Sequence, residues 1–125
     1  MWKFEEIAGD ISNGKLIQVS AFESIDINDA LDQRDSSELE DDFISAADDL
    51  NASWESFDNA GDLESEINLI CERAFKKCFE YTKSSDLSAY VNDDFEVLAK
   101  AAAMKFESPY LKNMMAVYSR GEFHH

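Results

Sequence analysis

Carboxylates are the side chains of this sequence that are numerous and regular enough to do chemistry. The 125 residues include 27 Asp and Glu against 11 Lys and Arg, which gives a formal net charge of −16. Asp41, Asp48 and Glu55 recur every seven residues, so a helix would place them in one row, about 10.5 Å apart. The neighbouring row would hold Glu38, Asp42 and Asp49. Like charges placed together repel each other, so these six residues, called the acidic face below, predict a surface for a basic partner.

The negative charge belongs to the first half of the chain. Residues 1–66 hold 19 acidic and 3 basic residues, whereas residues 67–125 hold eight of each. Between Glu23 and Glu66 the only basic residue is Arg34. Apolar residues at helical spacing continue across residue 66 without a Pro-, Gly- or Ser-rich linker. The asymmetry therefore indicates one domain with one charged face.

Two other uses of clustered carboxylates fit the sequence poorly. An EF-hand calcium loop needs Gly at its sixth position, and the stretch that begins at Asp26 has Leu31 there. Acid–base catalysis by two carboxylates needs a cleft that separates their pKa values, and no spacing singles out such a pair. We therefore expect no specific metal site.

The remaining reactive residue types give no catalytic pattern. The histidines are His124 and His125 at the end of the chain, which excludes an internal Ser-His or Cys-His arrangement. Cys71 and Cys78 are seven residues apart on one predicted helix, too far for a disulfide, and they lie on its apolar stripe. The four glycines are isolated, so there is no phosphate-binding loop. We expect no cofactor and no enzymatic activity.

Apolar residues at helical spacing predict an all-α, single-domain bundle of about four to six helices. The long predicted helices are 38–56, 63–82, 93–107 and 110–118, and the short ones are 2–8, 28–33 and 87–91. Ser37 and Glu40 form a capping-box pattern at the start of the first long helix. Residues 15–22 alternate as a possible short strand. We assign residues 1–121 to the domain and interpret 122–125 as the remnant of a purification tag.

The composition also restricts the partner. Strong acidity argues against binding to nucleic acid or to anionic lipid, both of which attract Lys and Arg. The absence of a signal peptide, the lack of an apolar span and two free thiols indicate a cytoplasmic protein. Tyr90, which is bordered by acidic residues in a short polar segment, is expected to be partly exposed and to contact the same partner.

This sequence is small and helical in pattern, and its most acidic runs are Glu38-Leu39-Glu40-Asp41-Asp42 and Asp48-Asp49. It resembles the small acidic immunity proteins that bacteria pair with nuclease toxins, including the contact-dependent inhibition and colicin types. The resemblance implies a stoichiometric inhibitor whose acidic surface binds the basic face of a cognate nuclease toxin.

Two other hypotheses remain open. A nucleic-acid mimic could use both carboxylate rows to imitate phosphates and so block a DNA-binding protein. A helical adaptor or regulatory module could instead bind through residues 110–118 and use its acidic residues only for solubility.

Overall fold

The described part of the fold is built from helices. A computed structural model describes residues 3–18, 22, 26–57 and 60–122, without the side chains of residues 37–40 and 60. Its helices are α1 (Phe4–Ser12), α2 (Ile27–Arg34), α3 (Ser37–Glu55), α4 (Ala60–Thr82), α5 (Ser85–Met104) and α6 (Pro109–Ser119). These ranges contain no strand, so the all-α prediction is confirmed. No helix in them is both long and apolar enough to cross a membrane.

Helix α5 corrects two sequence predictions. The segments 87–91 and 93–107, predicted as separate helices, belong to one continuous helix. Residues 92–94 are all polar, which in the sequence looks like a break between two helices, but Asp94 is completely buried inside the bundle. The helix also ends earlier than predicted, because Lys105 adopts the left-handed conformation (φ 54°) and the N–H of Phe106 turns back to bond the carbonyl of Ala101 at 2.8 Å.

Residues 15–18 form a turn after α1, so the possible strand is wrong for this part of the chain. The backbone N–H groups of Lys15 and Leu16 both donate to the carbonyl of Asp10, at 2.9 and 3.1 Å. Gly14 precedes them with a φ of 82°, which glycine adopts readily. Leu16 and Ile17 are consecutive and both buried, whereas a strand would turn them to opposite faces. Residues 19–21 lie outside the described residues.

Side-chain caps mark the starts of two of the later helices. Ser84 accepts a hydrogen bond from the N–H of Leu87 at 3.1 Å, and Ser108 accepts one from the N–H of Leu111 at 3.3 Å. Pro109 occupies the first turn of α6, as its sequence context predicts. At the start of α3 the cap position is Ser36, whose side chain makes no capping hydrogen bond. The predicted capping box lies outside the described side chains.

Helix α5 lies at the centre of the bundle, where it contacts each of the other five helices. Its buried positions include Leu87, Val91, Phe95 and Leu98. Helix α4 packs most extensively against it, through the buried side chains of Ile67, Ile70, Cys71, Ala74 and Cys78, of which the two cysteines were predicted to lie on its apolar stripe. Helix α6 contributes four buried side chains, which are Leu111, Met114, Met115 and Tyr118.

One ion pair is buried inside this apolar core. The guanidinium of Arg34, at the end of α2, donates to both carboxylate oxygens of Asp94 on α5, and the distance from its NH1 nitrogen to Oδ2 is 2.8 Å. The hydroxyl of Tyr118 on α6 donates to the same Oδ2 at 2.6 Å. Burial raises the pKa of Asp94, and the hydrogen bonds from Arg34 and Tyr118 oppose that rise. The pair thus joins three helices.

Aromatic rings enclose the guanidinium of Arg34. Its central carbon lies 5.3 Å from the ring centre of Phe43 on α3 and 5.0 Å from that of Tyr90 on α5. Arg34 has only 4% of its surface exposed, so both contacts form in a region that excludes water. The sequence did not reveal this arrangement, since 60 residues separate Arg34 from Asp94.

We expect Asp94→Asn to lower the free energy of unfolding by about 3–5 kcal/mol, because it leaves the buried guanidinium without a counter-charge. Urea unfolding followed by circular dichroism measures this loss. Replacing both partners (Arg34→Met with Asp94→Leu) is expected to recover most of it. The adjacent exposed carboxylate provides the control, Asp93→Asn, which is expected to change stability by less than about 0.5 kcal/mol. A loss in Asp94→Asn no larger than in this control would contradict the central role of the pair.

The two cysteines are expected to be inert in the folded protein. Burial raises the pKa of Cys71 to about 11 and also raises that of Cys78. At pH 8 the thiolate fraction of Cys71 is therefore on the order of 100-fold below that of an ordinary thiol. Reaction with a chromogenic disulfide reagent should be at least that much slower in the native protein than in denaturant. Rapid labelling under native conditions would show that this part of the core opens readily.

Candidate functional site

The outer side of α3 presents the predicted carboxylates together. The exposed members of the acidic face are Asp41, Asp42, Asp48, Asp49 and Glu55. The side chain of Glu38 lies outside the described residues. Since one helix carries all five, their spacing is fixed by the rise of the helix and not by a flexible loop. The structure thus gives a rigid row of negative charge open to solvent.

None of these five carboxylates takes part in an ion pair with another described residue. The ion pairs among the described residues join Arg34 to Asp94, Lys76 to Glu72, Lys100 to Glu96 and Arg120 to Glu122. None of them includes a member of the acidic face. An ordinary solvated helix gains stability from pairs of opposite charge three or four residues apart, and the outer side of α3 lacks them.

The burial of Arg34 makes the surface charge more one-sided than the sequence suggests. Arg34 is the only basic residue between Glu23 and Glu66, and its charge is cancelled by Asp94 beneath the surface. Asp94 belongs to the electrically neutral second half. The outer surface of the segment between Glu23 and Glu66 therefore loses its only cation, while the second half of the chain loses one of its acids.

Helix α2 extends the acidic surface beyond the predicted residues. It packs against α3 and α5, and its exposed carboxylates are Asp29 and Asp32, with Asp26 and Asp35 exposed at its two caps. The sequence locates the negative charge in this half, but these four aspartates were not among the predicted site residues. Their spacing of three residues was the available signal, although only the packing of α2 beside α3 makes the two groups neighbours.

Tyr90 connects the core to this surface. Its ring covers the guanidinium of Arg34, and its hydroxyl donates a hydrogen bond to Asp35 at the end of α2. The side chain is half-buried. Tyr90 therefore has a structural role that its polar surroundings did not indicate, and its contact with a partner stays a prediction.

Only a few of the described side chains attach the inner side of α3 to the rest of the bundle. Leu50 is its only completely buried apolar side chain among those described, and Phe43 and Trp54 are half-buried. The ammonium of Lys100 on α5 lies 5.5 Å from the ring centre of Trp54 and donates to Asn51 at 3.3 Å. Two cations, Arg34 near one end and Lys100 near the other, thus fasten the acidic helix to α5.

One apolar residue interrupts the row of carboxylates. Ile44 has 47% of its surface exposed, which places it among the three exposed large apolar side chains of the described residues. It follows Asp41 by three residues and precedes Asp48 by four, so it lies between them on the same side of the helix. Ile44 was not among the residues predicted from the sequence to bind the partner.

The structure gives less support to the other candidate sites, which are a metal site, a cleft and the surface of α6. Residues that could hold a metal ion do not converge anywhere in the described ranges. A cleft of about 740 Å³ opens between α5 and α6, with a mainly apolar lining that includes Leu98, Phe106 and Pro109. The apolar side chains of α6 on which the adaptor hypothesis relied are buried in the core. Burial raises the pKa of Tyr110 on the same helix to about 12.

A comparison with known protein families identifies the class. The family described as Immunity protein PIM1 matches residues 6–125, which is nearly the whole chain and includes the segment interpreted as a tag. The chain belongs to this family of immunity proteins. No curated protein matches it. The general role is therefore neutralisation of a toxin, and the resemblance to bacterial immunity proteins is confirmed at the level of the class.

For this immunity protein, we expect Lys100→Ala to loosen the end of α3 that carries Glu55. The matched control is Lys76→Ala, because Lys76 makes the same type of pair with a Glu four residues earlier but lies exposed, without an aromatic or amide partner among the contacts described. Lys100→Ala should lower stability by about 1 kcal/mol more than the control and should change Trp54 fluorescence. Equal losses in the two variants would show that Lys100 does not fasten α3.

Proposed function

We propose that this immunity protein blocks its toxin by binding it through the acidic face in a one-to-one complex. The observation that carries the proposal is the row of exposed carboxylates on α3, which have no basic neighbour in the described ion pairs. Keeping such a row in the free protein opposes folding through repulsion. A basic partner relieves this repulsion when it binds, so the same charges that disfavour the free state favour the complex.

The charge of the surface suggests the activity of the toxin. A nuclease must bind phosphates and therefore carries a basic cleft. A rigid acidic helix complements such a cleft and excludes nucleic acid from it. We propose a nuclease toxin on this ground, with α2 and its exposed aspartates widening the surface that faces the toxin. Electrostatic attraction would speed encounter and orient the two proteins.

The combined variant Asp41→Lys with Asp48→Lys tests the surface. We expect at least about a tenfold slower association with the cognate toxin domain, to be sought among the neighbouring genes, and a weaker dependence of the rate on salt. Stopped-flow or surface plasmon resonance at several salt concentrations measures both quantities. The same change in net charge, made at exposed positions of α4 (Glu66→Lys with Glu80→Lys), serves as the control.

The control variant distinguishes an effect of the charges on α3 from an effect of the net charge of the whole protein. If the two double variants slow association equally, net charge alone accounts for the effect and the acidic face is not the binding site. Titration of the immunity protein into a nuclease assay of the toxin should reach complete inhibition at one equivalent. A toxin that cleaves neither DNA nor RNA would overturn the nuclease assignment without affecting the choice of surface.

A further inference from the structure

Ile44 is unusual among the apolar residues of α3. Phe43, Ala46, Ala47, Leu50 and Trp54 all pack against the core, whereas Ile44 has 47% of its surface exposed. A single exposed apolar residue is common on protein surfaces. This one lies inside a row of carboxylates, midway along the helix that we propose to face the toxin, where any bound protein would cover it.

We infer that Ile44 is the apolar anchor of the toxin interface, and that it enters an apolar pocket rimmed by Lys or Arg on the toxin. The inference rests on the proposed function. Protein interfaces place an apolar anchor near their centre and charged groups around its edge, which is the arrangement of Ile44 between Asp41 and Asp48. The carboxylates would thus orient the partner, and burial of Ile44 would hold it.

The chemistry of isoleucine suits an anchor on a helix. A β-branched side chain has essentially one χ1 rotamer in a helix, so little conformational freedom is lost when it is buried by a partner. The helix that carries Ile44 is itself held at both ends, by Arg34 against Phe43 and by Lys100 against Trp54. The side chain is therefore presented to the partner in a nearly fixed position.

The charges around Ile44 favour a basic protein over a second copy of this chain as the partner that binds there. A second copy of this chain that packed symmetrically through Ile44 would place Asp41 and Asp48 of one molecule against the same row of the other, and like charges would repel. A basic partner meets the same row with attraction. The other exposed apolar residues have different surroundings. Leu69 has Glu66 and Arg73 as its helical neighbours, and Phe79 stacks on Phe75 beneath the ammonium of Lys83.

The test compares Ile44→Ser with Leu69→Ser, since the two residues are exposed to 47% and 44% and lie on different helices. Binding of the full-length chain to the inactivated cognate toxin domain is measured by surface plasmon resonance. We expect Ile44→Ser to raise the dissociation rate about tenfold, to leave the association rate within about twofold and to keep the salt dependence. Ile44→Leu should restore most of the lifetime of the complex, and Leu69→Ser should leave it unchanged. Both serine variants should melt within about 2 °C of the wild type, because surface substitutions rarely affect stability.

The outcomes separate this inference from the proposed function. If Ile44→Ser dissociates like the wild type while Asp41→Lys with Asp48→Lys associates slowly, the acidic face is the interface and Ile44 is not its anchor. If Ile44→Ser shortens the lifetime of the complex, and Asp41→Lys with Asp48→Lys associates as fast as its α4 control, then Ile44 lies in the interface. The electrostatic part of the proposed function is then wrong. If neither variant differs from the wild type, or the wild type does not bind this toxin, both fail.

Discussion

The ion pair between Arg34 and Asp94 is the interaction on which the arrangement of the helices depends. It lies where α2, α5 and α6 meet. The ring of Phe43 brings α3 to the same point, and the ring of Tyr90 on α5 also covers the guanidinium. Burying two charges is costly unless each is paired and hydrogen-bonded, so this cluster forms only when all of these elements are in place. The directional bonds of a guanidinium restrict the relative positions of helices more than apolar contacts alone would.

The same pair shapes the surface through which we propose that the toxin is bound. An immunity protein must present a surface to its toxin. Here Arg34, the only basic residue between Glu23 and Glu66, is buried in the core. The carboxylates of α2 and α3 are left without that local counter-charge. A residue that stabilises the inside of the molecule thereby increases the negative field outside it, and stability and surface charge are linked through one side chain.

Helix α3 combines a strongly charged outer side with a modest attachment to the core. Among its described side chains only Leu50 is completely buried, and the cation contacts with Phe43 and Trp54 supplement it. Mutual repulsion among the carboxylates works against the helix, so these contacts matter more than they would on a neutral helix. A surface that binds a partner through charge is usually kept at some cost to the free protein, and α3 has the features of such a surface.

The sequence by itself determined the helical class, the apolar stripes of α4 and α6 and the exposed carboxylates of α3, because these depend on periodicity within one helix. It also indicated the class of immunity proteins through its acidic character. It divided α5 into two helices, because the polar run that includes the buried Asp94 interrupts the apolar periodicity. It also suggested a possible strand at residues 15–22 from alternating apolar residues, whereas residues 15–18 belong to a turn. The pairing of Arg34 with Asp94, the packing of α2 beside α3 and the exposure of Ile44 were decided by the tertiary structure. Each depends on contacts between residues distant along the chain, or on the absence of such contacts, and no local pattern of residue types carries that information.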